Sequence, residues 1–539
     1  MLSVRGKAAV VIASQVLSAL IASGSLFVTG RFFDPAAYGM VAVSWGIGNL
    51  LALLSDWGVS GAHVRRVALG HDRNVAFGAL VRIRLTLLAV VVIILALAWL
   101  ASGERLFSAF ANSTTSKVLL VGFAYQIVLV VRSLLESTWQ AEQKVHILEG
   151  LRTLDSLLAL VFLANAGLAV AALAGGHPPG LWVGQAWVAL LHANGPISTE
   201  TAALLILGAY LASRVVSLVV ALALAWRGGL RVGPWRRDVA LSYRDFALAI
   251  SLSGVVSLLL SSTDTIVLGA FWDAKEVAFY AGGQRLAGLA TIAGGAVAAV
   301  LFPRFAQLHG LGDVAAKDAT FENAQRWLLL VTAPVVAAFL ALPAQGIRVT
   351  LGANYDASVA PLRWLALWAL VGAASQPLVT RLMGEGILRP LVVSGLLTTV
   401  LNAALQVVLV PRALFGVAGL GWGARGAALA TTLAAAAGYV YLRVWARRHR
   451  ATPLWHAHVG RIVACAAGAG GLWWFAGALL PGSWLDQAWK LAVVGFVGLA
   501  IYAGLLAVVR ELGPEDYSLL RRLRDLPRAL AQTARPPSP

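Results

Sequence analysis

The sequence predicts an all-α, polytopic membrane protein with about fourteen transmembrane helices, in two parallel six-helix bundles plus two C-terminal helices. Three observations predict it: apolar runs of spanning length recur along the whole chain, basic residues alternate between connections, and a motif of the first helices returns mid-chain. Of the 539 residues 59% are hydrophobic and 12% charged, with a mean hydropathy of +0.79, whereas a soluble chain is about a quarter charged. Crossing ~30 Å of hydrocarbon takes roughly 20 apolar residues. No stretch reads as a separate soluble domain.

The spans fall at about 8–30, 36–57, 80–101, 117–138, 152–174, 203–226, 246–271, 282–303, 327–348, 361–384, 389–411, 422–443, 462–481 and 488–509. The first is read as a retained helix, because its run of about 23 residues exceeds the ~7–15 of a secretory signal core. Between the spans, alternate connections should differ in Lys and Arg. One set holds 30 of them and the other 9, with Arg132, Arg214 and Arg285 left inside spans. That alternation places both termini in the cytoplasm of a multi-pass cell-membrane protein. It also explains the net charge of +18 without nucleic acid, whose binding face gathers basic residues on one domain.

Two segments fall outside this scheme. The outer connection 175–202 reads as an insertion whose apolar stretch Leu181–Leu191 is too short to cross. The tail from Arg510 mixes Leu519, Leu520, Leu523 and Leu526 with Arg521, Arg522, Arg524 and Arg528, the pattern either of a helix on an anionic leaflet or of a solvated tail.

The internal repeat fixes the architecture. Gly30-Arg31-Phe32-Phe33-Asp34 after span 1 is echoed by Gly269-Ala270-Phe271-Trp272-Asp273 after span 7. Arg132 with Glu136 in span 4 is echoed by Arg381 with Glu385 in span 10. Six helices separate the copies, so both halves point the same way, the arrangement of parallel transporter repeats with a path between them. The division is 1–226 for the first bundle, 227–245 for a basic linker, 246–445 for the second bundle, 446–509 for helices 13 and 14, and 510–539 for the tail.

The same residues resemble the polysaccharide, or oligosaccharide-lipid, flippases of the multidrug/oligosaccharidyl-lipid/polysaccharide exporter superfamily. The motifs in order are Gly30 to Gly39, Asp56-Trp57-Gly58, Asp264, Tyr280 to Arg285, Phe302-Pro303, Leu351-Gly352-Ala353-Asn354-Tyr355, Asn402, Pro411 and Gly426-Ala427-Ala428. They cover nearly the whole chain. The insertion at 175–202 and Arg425 in an outer connection depart from the pattern. The resemblance implies a flippase moving a polyprenyl-(pyro)phosphate-linked oligosaccharide to the outer leaflet for cell-surface polysaccharide biosynthesis. Its partners would be that lipid-linked substrate, membrane lipids and glycan polymerase or ligase machinery, with no cofactor and no metal. The alternatives are a drug or small-metabolite antiporter of the same superfamily and a membrane-embedded polymerase or ligase. A polymerase or ligase would need catalytic groups on a sizeable outer loop, yet the longest outer connection holds only one acidic residue, Glu200.

Charges deep in spans are the candidate site residues, since each is expensive there. Arg214, mid-span 6, either grips a phosphate from a cavity or satisfies backbone carbonyls of a broken helix. Asp264, about 12 Å deep in span 7, either pairs with a cavity arginine, binds a coupling proton or cation, or is a hydrogen-bonded buried carboxyl. Its counterpart in the first half is Ser25, so the charge is not required by the repeat. Arg132, Glu136, Arg381 and Glu385 form i,i+4 pairs that serve as interfacial anchors or a cytoplasmic gate, and Arg132 is also a cavity candidate. Arg31 and Arg285 stand near the outer ends of spans 1 and 8, where they either snorkel or face the cavity. No phosphate-binding Gly-rich loop with Lys-Ser/Thr occurs, and no catalytic residues are expected.

Overall fold

The computed structural model describes residues 4–68, 70–102, 115–174, 197–239, 241, 243, 262–292, 294, 301, 304–305, 307–414, 417–450, 457–480 and 485–511. Most of the insertion 175–202, the tail beyond residue 511, and much of spans 7 and 8 lie outside the described residues.

The chain is a multi-pass helical membrane protein. Its first half comprises α1 (Val4–Phe32), α2 (Pro35–Asp56), α3 (Val59–Ala68), α4 (Arg73–Ser102), α5 (Thr115–Ala141), α6 (Val145–Ala174) and α7 (Thr199–Arg227). The second comprises α8 (262–271), α9 (Ala274–Leu289), α10 (Val314–Ala341), α11 (Pro343–Thr350), α12 (Val359–Gly384), α13 (Arg389–Leu409) and α14 (Gly423–Arg450). Helices α15 (Ala457–Leu479) and α16 (Ala488–Val508) follow. Among the described residues eleven helices are long and apolar enough to span, and Leu17–Phe32 of α1 is a shorter apolar segment. A two-rung hairpin, Ala413–Leu414 with Val417–Ala418, joins α13 to α14.

Three boundaries differ from the expected ones, each for a local reason. The ninth span ends at Ala341, because Leu342 leaves helical geometry and Pro343 begins the separate helix α11. The eighth begins at Ala274, since Asp273 caps it by accepting from Glu276 N. The loop after span 2 contains helix α3: Trp57 (φ 41°) and Gly58 (φ 72°) turn the chain, and Asp56 accepts from Ser60 N at 3.2 Å. Arg82 and Arg84, expected in that loop, lie on α4, and buried Arg84 pairs with Asp56 at 3.3 Å.

The repeat is visible as chemistry. Asp34 caps α2 by accepting from Ala36 N, with Pro35 at the first position, as Asp273 caps α9. These two equivalent helices carry the main contact between the halves. They approach so closely that a Cβ on Gly39 would lie 1.6 Å from the Ala274 carbonyl oxygen, and one on Gly30 2.4 Å from the Leu351 Cα. Around this seam Leu26, Tyr38 and Val43 interleave with Leu268, Val277, Leu351 and Tyr355. The seam lies at the far end, opposite the basic end where Val4 and Val508 stand. At the basic end each half keeps its own core, around Leu80 and Leu135 in one and around Phe321 and Leu382 in the other, and no apolar cluster spans both among the described residues.

The linker is strapped to the first half. Gly233 N donates to Asn74 O at 2.9 Å, Arg82 to Gly233 O at 2.9 Å, and Arg73 to Gly228 O at 2.7 Å. Helices α15 and α16 are fastened to α10 by Glu511, which pairs with Arg326 at 3.0 Å and Arg461 at 2.7 Å.

Candidate functional site

Three helices of the first half bring charge to mid-depth. Arg214 is thirteen residues from the Arg227 end of α7, or about 20 Å at 1.5 Å per residue. Asp155 stands ten residues into α6, and Arg132 nine residues before the end of α5. Both guanidiniums donate to one oxygen, Oδ2 of Asp155. Arg132 is 1% exposed and also pairs with Glu136 at 2.9 Å, so it does not snorkel. The Arg214 side chain keeps 25% exposure against 4% for Asp155, and its guanidinium lies 5.8 Å from the Tyr125 ring centre. Asp155 Oδ1, Arg132 Nε and Arg214 Nε are buried with no hydrogen-bond partner.

The second half contributes Arg285, eleven residues into α9. Its guanidinium reaches across to α2, 5.3 Å from the centre of the Trp45 ring, with Tyr38, Tyr125 and Tyr210 close around it. Trp45 meets Tyr210 edge-on at 5.0 Å and Tyr125 at 6.3 Å. Arg285 is exposed. Among the described residues no carboxylate pairs with it. Three guanidiniums therefore meet two carboxylates here, Asp155 and Glu136, which leaves the group one positive charge in excess. Trp45 Nε1 is buried without a partner.

Asp264 lies elsewhere, enclosed in the second half and 1% exposed. Oδ1 accepts from Asn402 at 3.1 Å and from Gln406, and Oδ2 accepts from Thr431 at 2.8 Å and from Tyr280. All four donors are neutral, and no arginine reaches the carboxyl among the described residues. It borders a cavity of about 410 Å³ lined by Asn402, Thr431, Ser394, Trp368 and Tyr439, among others.

The remaining candidates are placed differently. Arg381 pairs with Glu385 at 3.1 Å and Asp318 at 2.7 Å, and buried Lys317 pairs with Glu385 at 3.6 Å. Both repeated Arg–Glu pairs thus close within their own half, each joined by a further acid. Arg31 is not brought to the chamber: it is exposed at the far-end seam, where it donates to Arg348 O at 3.0 Å and Val349 O at 3.2 Å. That position satisfies the carbonyls ending α11. Asp155 and the aromatic group were not singled out from the sequence. An acid ten residues inside an apolar helix was the available signal for Asp155; the aromatics carried none.

Residues 196–360 match the family model described as "Polysaccharide biosynthesis protein". No curated protein matches the sequence. Among solved structures, the chain is similar to the lipid II flippase MurJ in an inward closed conformation (TM-score 0.68, 12% identity, 94% of this chain and 99% of that one). It is also similar to a multidrug resistance MATE family transporter of the MOP superfamily. The inward-facing form gives a TM-score of 0.56 at 16% identity over 80% of this chain and 94% of that one. The outward-facing form gives 0.50 at 15% over 82% and 95%. The chain shares the fold of these solved structures.

Proposed function

We propose that this protein is a flippase that carries a polyprenyl-(pyro)phosphate-linked oligosaccharide from the cytoplasmic to the outer leaflet of the cell membrane. It works by alternating access and serves cell-surface polysaccharide biosynthesis. One observation carries the reading: Arg285, without a carboxylate partner among the described residues, spans the two halves over an aromatic group at mid-depth, near Arg214. A guanidinium takes phosphate oxygens in pairs, and flat aromatic faces with polar tips suit a sugar ring. The match of residues 196–360 to a polysaccharide biosynthesis family agrees with such a cargo.

The basic end is read as cytoplasmic, and there the halves keep separate cores, so the headgroup enters from that side while the lipid tail stays in the bilayer. The paired charges Arg132/Glu136 and Arg381/Glu385, each closed within one half, stand in the basic-end part of their helices as candidate gate residues. A polar cavity replaces the water that a sugar headgroup loses in hydrocarbon. Outward movement of an anion is favoured by about 2.3 kcal/mol per charge per 100 mV. No chemical step is required, and polymerase or ligase machinery takes the product.

Antiport of a cationic drug or metabolite is the second reading. It is favoured by Asp264, a buried acid with its own cavity. Protein reconstituted into vesicles separates the two. Flipping of a lipid-linked oligosaccharide that falls about tenfold or more in Arg285→Ala, the scale of one charge-assisted contact of about 1.5–3 kcal/mol, supports the flippase. Gradient-driven uptake of ethidium with no lipid movement overturns it.

A further inference from the structure

We propose that Asp155 is a resident counter-ion: it occupies Arg214 while the chamber is empty and yields that guanidinium to the phosphate of the cargo. The inference rests on the flippase reading and names the residue that sets how tightly the phosphate is held.

Arg214 sits at mid-depth beside a compensating charge, and removing one partner of a buried ion pair is costly. The partner of Arg214 is Asp155, reached through a single carboxylate oxygen. The contact uses Nη1 of Arg214 only, and its Nε has no partner. The geometry is lopsided: the arginine is one-quarter exposed, while the aspartate behind it is almost wholly covered. An anion arriving from the chamber meets the open side of Arg214 and can engage it through two nitrogens, a stronger contact than the one it replaces. Asp155 is not then stranded, since the same oxygen already accepts from Arg132, which is too deeply buried to take cargo itself. Asp155 thus shifts its weight from one arginine to the other. Arg132, Arg214 and Arg285 against Asp155 and Glu136 leave one positive charge that the cargo phosphate offsets, and the phosphate is released when Asp155 returns. A carboxylate in this position keeps affinity moderate, so that a transporter can let go.

The prediction is a pair of effects with opposite signs. With farnesyl diphosphate as the probe, binding to the full-length detergent-solubilised protein is followed by calorimetry. Asp155→Asn frees Arg214 and tightens binding about tenfold, yet slows flipping in vesicles. Arg132→Gln leaves Asp155 to Arg214 alone and weakens binding. Arg214→Gln abolishes both changes. If Asp155→Asn does not fold, Arg132→Gln/Asp155→Asn removes one of the two cations that faced Asp155, and it binds more tightly than Arg132→Gln. A merely structural Asp155 would lower thermal stability without this sign reversal. Wild-type affinity in Asp155→Asn, or in the double variant equal affinity to Arg132→Gln, overturns the proposal while leaving the flippase reading intact. Failure of the wild-type protein to bind farnesyl diphosphate, together with binding of ethidium, overturns both.

Discussion

Each half of the molecule buries an aspartate at depth, and the two are solvated in opposite ways. Asp155 in the first half is held by two guanidiniums; Asp264 in the second is held by two amides and two hydroxyls. A carboxyl wedged between two guanidiniums has its charge compensated by them. A carboxyl among neutral donors has no charge opposite it, so taking up a proton or a cation changes its energy most. The same side chain is therefore charge-compensated in one half and held by neutral donors in the other.

The largest break in this comparison comes from making the same substitution twice. Asp155→Asn leaves Arg132 and Arg214 facing a neutral amide, whose oxygen can still accept but which carries no compensating charge. Breaking a buried pair in this way costs about 3–5 kcal/mol, read as a drop in thermal unfolding temperature in detergent. Asp264→Asn should move it far less. Equal losses at the two positions would show that the surroundings of the two acids do not differ as drawn.

A third buried titratable group sharpens the neutral case, because it lies outside the spanning helices. His63 on α3 is fully buried. Tyr243 donates to Ala76 O at 3.1 Å, so its oxygen accepts from His63 Nδ1 at 3.0 Å, and Thr138 donates to Nε2 at 2.9 Å. Burial pushes the imidazole from 6.5 down to about 4. The unfolded chain gains a proton there below about pH 6.5 and the folded chain only near pH 4. This contribution to stability is thus complete above 6.5 and is lost as pH falls through that window, by about 3 kcal/mol in all. Unfolding temperatures from pH 7 to 4.5 should fall more steeply for the wild type than for His63→Gln; parallel slopes would mean that His63 titrates normally.

How much of this was legible in the sequence follows from the range of each interaction. Helices such as α12 and α13 were legible because apolar length and alternating arginines act within one span and its two loops. The caps at Asp34 and Asp273 were visible as a repeat, since capping is local, although their role was not. The chamber was legible only on one side: Arg132, Arg214 and Arg285 stood out as charges in apolar runs. Asp155 stood out less, because it lies three residues from Arg152 at a loop boundary, and only the packing of α5 and α7 on α6 makes it their shared partner. Trp45, Tyr125 and Tyr210 look like any lipid-facing aromatics until α2, α5 and α7 converge. Arg31 shows the converse, a charge near the outer end of its span whose partners, the carbonyls ending α11, depend on a helix break at Pro343.

The smallest expected effect is the most discriminating. In Asp264→Asn the amide oxygen can replace Oδ1 and keep the donations from Asn402 and Gln406. The amide NH2 then faces Tyr280 and Thr431, whose hydroxyls rotate to accept. Thr431 already has an alternative acceptor for its proton, Ala427 O at 3.1 Å. The network survives with its polarity partly reversed, so stability should change by no more than about 1 kcal/mol. What the amide cannot do is gain or lose a proton, or bring a negative charge to a cation in the adjoining cavity. If Asp264 is the coupling group, reconstituted Asp264→Asn protein folds normally, and its transport no longer responds to pH or to added Na+. A variant that keeps the wild-type response would assign Asp264 to the fold alone and confine the functional carboxylate to the first half.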